Sequence, residues 1–351
     1  MKKVLIQLVT EFHYMVALSI IEKYYNTPEF EIHFLINKHS SASKSRLDNV
    51  KLDDRFKYHF VSFDHNRNER YNDVIQFMDY VKQNQFYHFV SFLFHDPLFV
   101  YLTHYFKKKD TVSYLAPDGL AAYAKFTKST LRSRVLNTVN SYKFFRKHNL
   151  SFNKLWLTSW NFGENGYYDY IYAYSKTLPY VSSDKKVIEI DYTLSEENLR
   201  KLKEMFSIDF SSYPALDDVI LIVNHRHTML DYETKLIEML RELYPQKTVL
   251  FKKHPNQPVE NLSYLDKFDH IYKIFDVYPV EMLIASLNNS IIISPYTTSM
   301  LYHNPTCKYF WTYPIVTASG ALKKPVERHN PKDYIKVVST FEELRQDLAK
   351  L

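Results

Sequence analysis

The chain has 351 residues, 46% hydrophobic and 24% charged, with a formal net charge of +6. That is too long for one ordinary core and comfortable for two domains of about 150 residues each. No apolar run reaches the roughly 20 residues that a membrane-spanning helix needs, and the single cysteine, Cys307, rules out an internal disulfide. Met1-Lys2-Lys3 opens onto a strand pattern rather than a secretory leader, so the expectation is a cytoplasmic protein.

There are four glycines, Gly119, Gly163, Gly166 and Gly320. Neither GxGxxG nor GxxxxGK[ST] can be written from them, so the usual dinucleotide fingerprint and the P-loop are excluded and any phosphate must be held by other means. Aromatics reach 17%, with 30 Tyr and 25 Phe, a bias that coding composition explains as readily as function.

Along the first half, strand patterns at Lys3–Val9, Glu31–Ile36, Tyr58–Phe63, Phe86–Phe94 and Thr111–Ala116 alternate with helical stretches such as Tyr14–Tyr25 and Tyr71–Lys82. From Gly119 to Gly163 there is no Asp or Glu. Lys125, Lys128, Arg132, Arg134, Lys143, Arg146, Lys147 and Lys154 fall inside, interleaved with Phe126, Leu131, Val135, Leu136, Val139, Tyr142, Phe144 and Phe145. One reading is a solvated basic helix. The other is a surface, residues 125–154, for an anionic membrane or an anionic glycan, where each basic residue near such a membrane contributes about 1 kcal/mol. No nucleic-acid-binding motif accompanies the charge, so nucleic acid is not an expected partner.

A polar stretch from about Tyr180 to Pro214 reads as a join, after which the alternation restarts. Val219–Val223, Thr248–Lys252, His270–Lys273 and Ser290–Ser294 read as strands. Asp231–Leu243 and Val280–Leu287 read as helices, another is expected from near Thr298, and Thr340–Leu351 closes the chain. Such alternation predicts an α/β fold of two Rossmann-like lobes, residues 1–180 and 181–351, with parallel sheets facing a central cleft. The last helix could pack back on the first lobe.

Open α/β sheets bind ligands beyond the carboxyl ends of their strands. Five such ends carry chemistry: Thr10-Glu11-Phe12-His13, Pro117-Asp118-Gly119, Asn224-His225-Arg226-His227, Lys253-His254-Pro255, and Pro295-Tyr296-Thr297-Thr298-Ser299. Glu11, His13 and Asp118 give the first lobe acids and an imidazole. Lys253, His254, Thr298 and Ser299 suit an anion, since hydroxyls and unpaired backbone N–H groups at a helix start can hold phosphate without glycine. Glu281 could accept from a ribose diol, or be an ordinary first-turn acid stabilised by the helix dipole. No DxD and no HExxH occurs, and His225 and His227 have orienting rather than ligating spacing, so no required metal is expected.

The "PDG" at Pro117, the "KKHP" at Lys252 and the "TTSM" at Thr297, in that order, resemble the three motifs of bacterial sialyltransferases and polysialyltransferases with the GT-B fold. "YPVEMLIASLNNSIIISPYTTSMLYHNP" has the look of that group's nucleotide-binding region. The resemblance implies an inverting, metal-independent transfer of sialic acid from CMP-sialic acid to a glycan or glycolipid acceptor of a bacterial surface polysaccharide or lipooligosaccharide. The protein would then work in the cytoplasm or peripherally on the inner membrane face. It implies His254 as donor-phosphate ligand, Thr298 and Ser299 as phosphate or carboxylate binders, and Glu281 as ribose ligand. In that family the first acid of the acidic motif acts as base; here that position is Pro117, and Asp118 matches the second. Asp118 is the favoured base, with His13 in reserve; Glu11 from the same neighbouring loop is the other alternative. The expected catalytic set is thus Asp118, His254, His13 and Glu11. The expected donor-binding set is Lys253, Pro255, Glu281, Thr297, Thr298, Ser299, Asn224 and Gly119. Other readings are a GT-B transferase using CMP-Kdo or a nucleotide diphosphate sugar, and a non-catalytic glycan- or lipid-binding protein of capsule assembly.

Overall fold

The computed structural model describes residues 1–38, 47, 53–62, 71–93, 96–125, 130–151, 162–165, 167–176, 178, 185–225, 229–255, 257–276, 278–320 and 327–351. Phe63, Phe94, Phe126, Lys128, Lys154, Gly166, Arg226 and His227, all singled out above, lie outside the described residues. The chain divides into two compact units, Met1–Asn198 with Pro325–His329, and Leu199–Lys324 with Asn330–Leu351.

The elements of the first unit are β1 (Lys2–Leu8), α1 (Glu11–Tyr24), β2 (Phe30–Lys38), β3 (Lys57–Ser62), α2 (Asn72–Gln83), β4 (Phe86–Ser91), α3 (Pro97–Lys107), β5 (Val112–Leu115), a 3-10 turn (Gly119–Tyr123), β6 (Ala124–Lys125), α4 (Leu131–Lys147), β7 (Tyr170–Ala173) and β8 (Lys186–Glu189). Seven strands form one sheet in the order β3-β2-β1-β4-β5-β7-β8, every pair parallel. Burial on both faces suits such a sheet, and Val4 to Leu8 of the central β1 are buried without a break. Helix α1 is apolar on every side and is buried from His13 to Ile21. The unit runs past the expected boundary at residue 180, because β8 pairs along β7 as the seventh strand.

In the second unit, α5 (Glu196–Met205) contains the division itself. There follow β9 (Ile220–Val223), α6 (Leu230–Leu243), β10 (Val249–Lys252), a 3-10 stretch (Val259–Lys267), β11 (Ile271–Ile274), α7 (Val280–Ile284), β12 (Ile291–Ser294), a 3-10 turn (Thr298–Leu301), β13 (Lys308–Trp311), α8 (Tyr313–Ala318), β14 (Glu327–Arg328), β15 (Ile335–Val337) and α9 (Phe341–Leu348). Six strands form a second parallel sheet in the order β11-β10-β9-β12-β13-β15. The two-residue β14 instead pairs antiparallel with β6 and belongs to the first unit. In α9, Leu344 and Leu348 enter the core of the second unit with Leu236 and Leu240 of α6.

Two expected helices are shorter than their patterns. Helix α7 stops at Ile284 because the Asn304 amide donates to the carbonyls of Ile284 (2.9 Å) and Leu287 (2.8 Å). The helix expected from Thr298 is a single 3-10 turn. The Tyr334 hydroxyl donates to the carbonyls of Met300 and Leu301, and the Asn304 N–H donates to the Tyr309 hydroxyl, so side chains compete there for the backbone groups that a longer helix would use.

A buried carboxyl in the second core bears on stability. Glu233 of α6 is buried, its Oε2 accepts from the Tyr264 hydroxyl, and its Oε1 has no partner among the described residues. Burial pushes the carboxyl from 4.5 up to about 7, against the smaller lowering effect of the Tyr264 hydrogen bond. The folded pKa lies above the unfolded one, so the protonated acid stabilises the fold. That contribution is complete below about 4.5 and is lost as pH rises through about 7. Glu233→Gln keeps an acceptor for Tyr264 and cannot ionise. In chemical denaturation, wild type is expected to lose roughly 2 kcal/mol more than the variant between pH 5 and pH 8; parallel pH profiles would refute this.

Candidate active site

In the first sheet the strand order reverses between β1 and β4, and in the second between β9 and β12. These are the switch points where loops leave to opposite sides and open a crevice at the carboxyl edge. Of the residues singled out in the sequence, Glu11 and His13 follow β1, Asn224 follows β9 and Thr297, Thr298 and Ser299 follow β12, whereas Asp118 follows β5 and Lys253, His254 and Pro255 follow β10, each one strand from its switch point.

At the first edge, Thr10 is extended and caps α1, its hydroxyl accepting from the His13 N–H (3.3 Å). His13 is therefore a first-turn helical residue rather than a loop residue. Its ring is buried, stacked on Phe92 at 4.6 Å between centroids and 18° between planes. Nδ1 accepts the Val9 N–H (3.2 Å). With Nδ1 so occupied the ring proton sits on Nε2, which donates to Asp118 Oδ1 at 2.9 Å. The imidazole side chain is 2% exposed and the carboxylate 43%. The pair therefore presents its carboxylate outward on a buried donor whose two ring nitrogens are both hydrogen-bonded. Glu11 is half-buried at the first position of α1, where the helix dipole favours a carboxylate.

Several residues missed in the sequence hold this arrangement. Buried Gln7 of β1 offers Oε1 to Ser91 Oγ (3.0 Å) and to the N–H groups of Phe92 (3.1 Å) and Leu93 (3.2 Å), which fixes the loop after β4 and seats Phe92 beside His13. Its signal was one amide inside the apolar run of β1. Gly119 follows Asp118 with φ +63°, a left-handed conformation that glycine adopts freely, and turns the chain into the 3-10 helix ending at Tyr123. The buried Tyr123 hydroxyl accepts from the N–H groups of Tyr174 (2.8 Å) and Ser175 (3.1 Å), tying the Asp118 loop to the end of β7. Burial pushes the Tyr123 phenol well above its usual range, so it remains neutral.

At the second edge, Asn224 follows β9 and is buried. Its amide donates to the buried Gln257 side chain, while its Oδ1 accepts from the His225 N–H. Asn224 thereby braces the loop after β10. Lys253, expected to face an anion, has another occupation: its buried ammonium donates to the carbonyls of His254 (3.1 Å), Pro255 (3.3 Å) and Gln257 (2.9 Å). Lys252 is buried as well, donating to the Asp276 carbonyl and lying 4.5 Å from the Tyr278 ring centre. These lysines shape the loop. His254 is half-buried at its start and Pro255 is exposed. Across the switch point, Thr297 and Thr298 are half-buried, Ser299 is buried, and Thr297 Oγ1 lies 3.5 Å from Ser299 Oγ. Glu281 is buried at 4% exposure in the first turn of α7.

The first edge offers an oriented proton acceptor; the second offers an imidazole, hydroxyls and the N–H groups that open a 3-10 turn. Among the described residues no group of three or more His, Cys, Asp or Glu side chains is placed to hold a metal ion.

No family profile matches the chain, and no curated protein is similar to it in sequence. Among solved structures, HepE of Anabaena, in complex with UDP and glucose, aligns over 100% of this chain and 89% of its own at a TM-score of 0.50 and 9% identity. The glycotransferase of kitacinnamycin aligns over 100% and 90% at a TM-score of 0.50 and 8% identity. The likeness is one of fold: this chain has the GT-B type of architecture, two α/β units each built on an open parallel sheet.

Proposed function

We propose that the protein is an inverting glycosyltransferase that moves a sugar from a nucleotide-activated donor to a hydroxyl of a glycan acceptor. The observation that carries this reading is the His13–Asp118 pair: a half-exposed carboxylate on the loop after β5, fixed by a buried imidazole that follows the switch-point strand β1 of a GT-B-type sheet. In the proposed step the acceptor oxygen bonds to the anomeric carbon as the bond from that carbon to the phosphate oxygen breaks. The transition state has oxocarbenium character. Asp118 takes the acceptor proton, His13 keeps the carboxylate aimed, and the nucleotide phosphate leaves with the bonding pair. His254 donates to that phosphate, and the hydroxyls and N–H groups of Thr297, Thr298 and Ser299 meet its remaining oxygens. Glu281 is assigned to the ribose, and Asn224, Lys253 and Pro255 to the shape of the donor loop. The chemistry asks for no metal, since protein donors suffice for a departing monophosphate.

CMP-sialic acid is the donor that the ordered "PDG", "KKHP" and "TTSM" motifs favour, with a surface polysaccharide or lipooligosaccharide as acceptor. A nucleoside diphosphate sugar is the second reading, favoured by the UDP and glucose held in HepE. Thermal shift with CMP, UDP, GDP and ADP separates them, because a ligand at a hundred times its Kd stabilises by about 2.7 kcal/mol. A rise with CMP alone is expected; a rise with UDP alone transfers the assignment to the second donor. No rise with any nucleotide overturns the glycosyltransferase reading in favour of a non-catalytic glycan binder.

A further inference from the structure

Helix α4 is amphipathic the wrong way round. Its buried positions include Asn137, Thr138 and Ser141 along with Phe144 and Phe145. Its exposed positions are Leu131, Arg132, Val135, Leu136, Val139, Tyr142, Lys143 and Arg146. The five apolar ones are 43% to 68% exposed, and they make up half of the large apolar side chains that the described residues leave exposed. A solvated helix places its leucines and valines inward and its asparagine and serine outward. Here Thr138 spends its hydroxyl on the Arg134 carbonyl (2.8 Å) inside the unit, and the Leu/Val stripe is left outside.

The charge on this face narrows what can cover it. Every charged residue among the exposed positions is a cation, and no Asp or Glu occurs in sequence from Gly119 to Gly163. A second copy of the chain packed on the same face would bring Arg132, Lys143 and Arg146 against their own counterparts, like against like. Apolar side chains flanked by cations, with no anion among the exposed positions of the helix, complement a surface that is apolar beneath and negative above. That describes the headgroup boundary of an anionic bilayer.

We propose that the outer face of α4 seats this protein on an anionic membrane surface. Leu131, Val135, Leu136 and Val139 enter the headgroup–acyl boundary, and Arg132, Lys143 and Arg146 meet lipid phosphates. Arg134 stays with Glu164, to which it is paired at 2.8 Å. The helix lies in the plane of the interface; no helix among the described residues is long and apolar enough to cross a membrane. This inference does not depend on which reaction the protein catalyses.

The test is flotation of the full-length protein with vesicles of phosphatidylcholine, alone or mixed with phosphatidylglycerol. The wild type is expected to float with the mixed vesicles and not with the neutral ones. Replacing the cations by Arg132→Gln, Lys143→Gln and Arg146→Gln should weaken that binding roughly a hundredfold. Leu136→Asn with Val139→Asn should weaken it about tenfold or more at unchanged charge. Both variants should melt at the wild-type temperature, because the replaced side chains already face solvent. Absence of flotation with mixed vesicles would overturn the proposal. So would a lowered melting temperature with polar replacement, which would show that another part of the chain covers the face. A wild-type dimer that the asparagine variant dissociates would make a second copy the occupant. Binding to soluble dextran sulfate with the apolar replacement silent toward vesicles would make it a polyanion site.

Discussion

Asp118→Asn is expected to lower glycosyl transfer by about 10²–10⁴-fold while leaving nucleotide binding intact. The substitution is nearly isosteric. The His13 Nε2–H still finds an oxygen at the position of Oδ1, so the loop between β5 and the 3-10 turn keeps its place. What disappears is the ability to accept a proton from an attacking hydroxyl. Steady-state rates together with a nucleotide thermal shift separate this from loss of folding. Transfer at the wild-type rate would remove Asp118 from the role of base and leave Glu11 as the next half-buried acid at that edge. His13 is the weaker substitute, because one ring nitrogen accepts the Val9 N–H and the other donates to Asp118.

His254→Ala is expected to lower turnover by roughly 10- to 100-fold with little change in melting temperature. The residue opens the loop after β10, and that loop is held by other groups: Lys253 through three carbonyls, and Asn224 through Gln257. Removing the imidazole therefore takes away a donor to the leaving phosphate without dismantling its surroundings. The measure is kcat at saturating donor beside a melting curve of the same preparation. Full activity in the variant would assign phosphate stabilisation to Thr297, Thr298 and Ser299 alone. A collapse in melting temperature would make His254 structural.

The α/β alternation, the parallel sheets and the strand ends that carry the candidate residues were legible in the sequence, because parallel strands read as short apolar runs and Pro117, Pro255 and Pro295 punctuate three of them. What was not legible depended on reach and on tertiary competition. Lys253 read as a cation facing a bound anion, but a lysine stem is long enough to fold its ammonium back onto the carbonyls of its own loop. The helices at Val280 and Thr298 carried adequate patterns and were cut short by Asn304, Tyr309 and Tyr334, which lie far from them in sequence or follow them. Strands β7 and β13 escaped notice because their runs, Tyr170–Ala173 and Lys308–Trp311, are largely aromatic in a chain where Tyr and Phe are common throughout, whereas β9 and β12 are aliphatic runs of equal length. The Gln7 clamp on Phe92 and Leu93 spans more than 80 residues and leaves only an isolated amide as its trace.

The most direct test of the central claim is mass spectrometry of an acceptor panel of galactosides and sialosides incubated with this protein and CMP-sialic acid, and in parallel with UDP-sugars. The expected result is an acceptor heavier by one glycosyl residue, with one nucleotide released per transfer, for the wild type and not for Asp118→Asn. Unmodified acceptor with every donor, from protein that also fails to bind any nucleotide, would contradict it.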